Sequence, residues 1–293
     1  MRSSNPVFSR RGFSRDNGYA GFNAAPQAGG PAVGTQGNPY AQQGGNPYAQ
    51  NPYAQQDLQH GAPPQAPASA GRMTMDDVVM RSAMTLGTVV VGAVLAWALL
   101  PVSSTSYGLA IGSALVAFVL AMVQSFKRKA TPALIIGYAA FEGVFLGVIS
   151  EMYNSQWSGA PFQAVLGTMA VTGATLLVYR AGWIRVTARY ARIGMTIAIA
   201  FVVVLAVNLL LVAFGVAPDG GLRSSGPLGA IVGILAILIG AFFLTLDFKQ
   251  IEDGIAYGAP KDEAWLAAFG LTLTLVWIYV EMLRLVASFS GDD

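Results

Sequence analysis

The stretch LGAIVGILAILIGAFFLTLDF, residues 228–248, carries no charge until Asp247, nineteen residues in. A helix needs about 20 mainly apolar residues to cross a bilayer, and this run is long enough. Six further stretches qualify on the same ground, at roughly 82–101, 106–125, 133–152, 162–180, 193–215 and 264–287. Short connections join them. The expected fold class is therefore all-α: a polytopic membrane protein, a seven-transmembrane-helix bundle occupying residues 73–293.

Composition agrees. The 293-residue chain is 54% hydrophobic and 11% charged, under half the charged share of an ordinary soluble domain. Mean hydropathy is +0.52. Residues 1–72 contribute little of this, being rich in Gly, Pro, Ala, Asn and Gln, with NPYAQ three times from Asn38, Asn46 and Asn51. So few aliphatic side chains do not offset the ordering entropy, and a disordered cytoplasmic tail is expected, open to protein partners. Arg10-Arg11 resembles a twin-arginine signal, but no apolar stretch follows it directly.

Several chemistries drop out. With no Cys, disulfides, thiolate metal sites and cysteine nucleophiles are excluded, and the single His60 lies in the tail. The net charge of +2 does not suggest nucleic-acid binding. No cofactor and no enzymatic activity are expected. An intramembrane aspartyl protease needs a second aspartate at matching depth, which the spans do not supply.

Eleven lysines and arginines (72, 81, 127–129, 180, 185, 189, 192, 249 and 261) fall on one side of the predicted spans, against Arg223 and Arg284 on the other. That bias predicts a cytoplasmic N-terminus and an external C-terminus, and the plasma membrane is the expected location. The small-residue pairs Gly108/Gly112, Gly143/Gly147 and Gly229/Gly233 suit close helix packing. Trp157, Trp183, Trp265 and Trp277 read as interfacial anchors.

Charges inside spans single out the candidate site. An unpaired charge at the bilayer centre costs at least ~2.5–3.5 kcal/mol on insertion scales, so it faces the bundle interior, pairs, or carries a proton. Asp247 lies near Lys249 and has an interfacial explanation; Glu281 and Arg284, three apart, have a local ion pair. Glu142 has neither. Thr274 shares a helix face with Glu281, and Asn208 adds a polar group in the fifth span. The expectation is a polar cluster opening toward the cytoplasm, with Asp247, Glu142 and Thr274 sensing cations or protons and Arg284, Glu281 and Asn208 in support. A bridge from Glu142 to Asp247 through the Thr274 hydroxyl or a water fits their similar depths.

These residues resemble a family. Phe242-Phe243-Leu244-Thr245-Leu246-Asp247-Phe248-Lys249-Gln250-Ile251 is similar to the acidic motif of the Bax inhibitor-1 family, the transmembrane Bax-inhibitor-motif proteins. Leu271-Thr272-Leu273-Thr274 through Leu283-Arg284 resembles that family's last helix, and Asn208 and Lys127-Arg128-Lys129 fall where similar residues would. The likeness covers about 75–290 and omits the tail. It implies a pH-dependent calcium leak governed by two carboxylates, one at Asp247, with calcium transiently held there and no bound cofactor. Two departures stand out: the partner acid aligns with Thr274, and the second-span glutamate is replaced near Ala114 and Leu115. The competing class is a non-conducting scaffold, for which a mid-span Glu142 has no use.

Overall fold

The computed structural model describes residues 71–127, 129–217, 221–224 and 226–290. The tail expected to be disordered, with its NPYAQ repeats and His60, lies outside them apart from Gly71 and Arg72. Seven helices follow: α1 Met75–Leu99, α2 Ser104–Phe126, α3 Pro132–Gln156, α4 Ala160–Arg180, α5 Ala188–Ala213, α6 Pro227–Ala256 and α7 Ala264–Ser290. All seven are long and apolar enough to cross a membrane. Among the described residues the only strand-like pairing is an isolated bridge between Arg72 and Pro260.

The helices overrun the expected spans mainly at the Lys/Arg-rich end, for local reasons. Thr74 caps α1 in a reciprocal box with Asp77, so the helix begins at Met75 rather than near 82. Thr187 caps α5 through the Tyr190 N–H. On α6, Lys249 pairs with Asp253 at 2.8 Å and Glu252 at 3.7 Å. Such i,i+3 and i,i+4 pairs carry the helix out of the apolar layer to Ala256.

α7 is the hub, packing against α1, α3, α4 and α6, while α3 also packs on α1 and α2. α5 is peripheral and leans on α6. The Gly143/Gly147 pair does what small pairs in lipid do. A Cβ at Gly143 would collide with the Val89 carbonyl of α1, and one at Gly147 with that of Ala93. Gly108/Gly112 is different: a Cβ at either would meet nothing within 4 Å, so this pair faces outward. Gly229 lies against Ser224, and Gly233 against Arg284 and Leu285 of α7.

At the Lys/Arg-rich end, hereafter the basic end, the segment before α1 is stitched to the α6–α7 connection. The Met73 N–H donates to the Ala259 carbonyl (2.8 Å) and that of Lys261 to the Gly71 carbonyl (2.7 Å). Lys261 pairs with Asp77 at 3.0 Å, and Arg81 donates to the Lys261 carbonyl. Beneath the stitch, Met73, Val78, Ile251, Ala264 and Ala267 form one apolar cluster. Arg81 also stacks 5.5 Å over the Trp265 ring, which anchors this end. Trp277, by contrast, is not an interfacial anchor. Its indole donates to the Ala236 carbonyl (3.1 Å) and ties α7 to α6 within the bundle.

Candidate functional site

Asp247 stands nine residues before the end of α6, and Thr274 and Glu142 each ten residues into α7 and α3. At the helical rise all three lie about 14–15 Å along their helices from the basic end.

Asp247 and Thr274 meet. The Thr274 hydroxyl donates to Asp247 Oδ2 at 2.7 Å and lies 3.1 Å from the Gly270 carbonyl. Gly270 makes room for the carboxylate: a Cβ there would come within 3.3 Å of Asp247 Oδ1. Asp247 is half-buried and makes no ion pair among the described residues. Lys249, the neighbour that offered an interfacial explanation, is turned to Glu252 and Asp253 instead.

Glu142 is half-buried on α3, beside the glycine seam with α1. One turn away, Tyr138 packs edge-on against Phe269 of α7, ring centroids 5.3 Å apart. Glu142 makes no hydrogen bond or ion pair with any described residue. Its helix and that of Asp247 each pack on α7, and the single proton of Thr274 goes to the Asp247 side. The α3 and α6 carboxylates are thus at one depth with no direct hydrogen bond between them.

Glu281 behaves differently. Its carboxylate is 4% exposed and receives Arg223 Nη2 at 2.6 Å on one oxygen and Arg284 Nη2 at 2.6 Å on the other. The local pairing of Glu281 with Arg284 is present, and Arg223 completes it from a short 3-10 turn, Gly221–Arg223, between α5 and α6. Asn208 serves that same turn: its Oδ1 accepts the Leu222 N–H at 2.7 Å. Asn208 lies twenty residues along α5, roughly 30 Å from the basic end by helical rise. The expected single cluster is therefore two groups, Asp247–Thr274 nearer the basic end and Arg223–Glu281–Arg284 with Asn208 nearer the other.

One participant was not legible in the sequence as a site residue. Arg223 is 58 positions from Glu281, and its one signal was being an isolated cation on the charge-poor side. Glu151 sits near the far end of α3 with Oε2 buried and unpartnered among the described residues.

Among the described residues no three His, Asp or Glu side chains gather as metal ligands, whereas calcium takes six to eight oxygens. Asp247 and Thr274 together present one carboxylate and one hydroxyl.

No curated protein matches the chain. The profile of the family described as Bax inhibitor 1 like matches residues 5–291, reaching through nearly all of the tail that the motif resemblance left out. With the whole seven-span bundle inside that match, the chain belongs to the Bax inhibitor 1 like family.

Proposed function

We propose that this membrane protein is a pH-sensitive cation leak, with calcium as the conducted ion, and that Asp247 is its sensing group. The observation that carries the reading is the contrast among the in-span acids. Glu281 is neutralised by two arginines, while Asp247 and Glu142 stand at matched depth with no cation beside them. A charge left uncompensated within a span is costly, and functional sites are where it persists. A proton or a passing cation relieves it, and either couples occupancy to helix packing. A non-conducting scaffold has no need of these acids.

In this reading the basic end is shut. Ile251, one turn beyond Asp247, belongs to the apolar layer with Met73, Val78, Ala264 and Ala267, and conduction requires that layer to part. Glu142 supplies the second carboxylate that Thr274 lacks, coupled to Asp247 through α7, on which both helices pack.

The test is calcium flux into liposomes holding the purified protein at two pH values. We expect flux above protein-free vesicles that changes with pH, and Asp247→Asn to alter its size or pH response while the bundle stays folded. Glu142→Gln should act similarly, with the double variant adding little, because coupled groups are non-additive. Absence of flux, or an Asp247→Asn protein identical to the unmodified one, overturns the leak reading. Additive single effects overturn only the coupling.

A further inference from the structure

Between α1 and α4 lies a cleft of about 1020 Å³, floored by α3 and α7 and open on its flank. That is the upper end of the ~300–1,000 Å³ typical of small-molecule sites. Its walls run from Leu86 to Ala98 on α1 and from Pro161 to Gly173 on α4. Both walls are twelve steps of helix, about 18 Å at the usual rise. One leaflet of hydrocarbon is about 15 Å deep, half the bilayer core. The cleft begins at the end of the bundle opposite the basic end. It stops mid-membrane, where the Thr85 and Thr272 hydroxyls hydrogen-bond at 3.0 Å and join α1 to α7.

The lining settles the chemistry of the occupant. No charged side chain lines the cleft. Its hydroxyls are already satisfied: Thr168 donates to the Ala164 carbonyl (2.8 Å) and Thr172 to that of Thr168 (2.7 Å). On the floor, Ser150 bonds the Leu146 carbonyl (2.5 Å) and the Tyr279 hydroxyl (2.7 Å). Nothing here asks for a hydrogen-bonding ligand, and apolar cavities of this kind do not hold water. Leaving the space empty forfeits dispersion contacts along both walls. Trp97 lines the cleft near its mouth, at the level where indoles meet headgroups.

The geometry points to a bound lipid: an acyl chain of one membrane leaflet inserts between α1 and α4 with its methyl end against Val276 and Tyr279 of α7. A transmembrane helix from a partner protein fits less well, because it needs a groove along the whole span and this one closes halfway. The inference stands on a different surface from Asp247 and does not depend on the leak reading.

The experiment reconstitutes the full chain in phosphatidylcholine vesicles containing a small fraction of phosphatidylcholine with a diazirine on its acyl chain. After photolysis, adducts are mapped by peptide mass spectrometry. We expect adducts on residues 86–98 and 161–173 to exceed, several-fold, those on the exposed faces of α2 and α5. Gly173→Phe should remove most of them, since a Cβ at Gly173 meets nothing within 4 Å and the ring fills the cleft. Gly112→Phe, equally open but on the outer face of α2, should leave them in place. If Gly173→Phe does not insert, Met169→Trp, from the same wall, serves instead. Adducts spread evenly over all exposed apolar faces, cleft adducts that survive the filling variant, or cross-linked dimers in place of cleft adducts would each overturn the proposal.

Discussion

Glu281 is the acid that the chain cannot lose cheaply. With its carboxylate almost fully buried and held by Arg223 and Arg284, removing it strands two guanidinium groups, and Arg284 Nη1 is already buried without a partner among the described residues. Breaking one side of a buried ion pair costs about 3–5 kcal/mol, more than the pair itself contributes. Glu281→Gln should therefore lower the thermal midpoint of the purified protein sharply, and Arg223→Gln in the same background should recover part of the loss. No recovery would mean that Arg223, at 27% side-chain exposure, reaches water well enough to need no partner. Asp247 gives the opposite expectation. Its one hydrogen bond comes from Thr274, so Asp247→Asn should leave the midpoint nearly unchanged while altering flux. The sequence separated Glu142 from the other in-span acids by its lack of a nearby cation. Lys249 is two residues from Asp247, a spacing that does not bring helical side chains together, and it pairs with Glu252 and Asp253 a turn further on.

At the scale of elements, the seven spans were legible because lipid demands long apolar runs and little else supplies them. Their ends were less so, since caps and i,i+4 pairs at Thr74 and Lys249 extend helices beyond the apolar layer. Small-residue pairs show where spacing runs out as a guide. Gly108/Gly112 and Gly143/Gly147 are the same motif in sequence, yet one faces open space and the other the α1 backbone. Which face a helix turns to a neighbour depends on the whole bundle. The two pairs should accordingly diverge under one substitution. Gly143→Ala forces a Cβ into the Val89 carbonyl and should destabilise by about 1–3 kcal/mol, the usual cost of overpacking. Gly112→Ala should be neutral or slightly stabilising, because alanine restricts the unfolded helix more than glycine does. Equal thermal midpoints for the two variants would show that the α1–α3 seam yields without cost.

For the whole molecule, the charges bear on orientation from two directions. Eleven lysines and arginines fall on the basic side in the sequence, and several described ones bind that end together: Lys261 to Asp77, Arg81 to the Lys261 carbonyl and the Trp265 ring. The two arginines on the other side are both engaged by Glu281. They have a structural reason to sit where the positive-inside bias would otherwise exclude them, which leaves the bias itself intact. The basic end should therefore face the cytoplasm, with seven spans then placing the end of α7 outside. Because the chain has no cysteine, Ser290→Cys creates a single exposed thiol. A membrane-impermeant maleimide applied to intact cells should label it, and should fail to label a thiol placed at Lys261, beside the stitch. Truncation of residues 1–70 should leave both results unchanged, since the stitch uses Gly71, Met73 and Asp77 and nothing earlier among the described residues. Labelling at Lys261→Cys without labelling at Ser290→Cys would reverse the orientation, and with it the side on which the apolar layer below Asp247 must open.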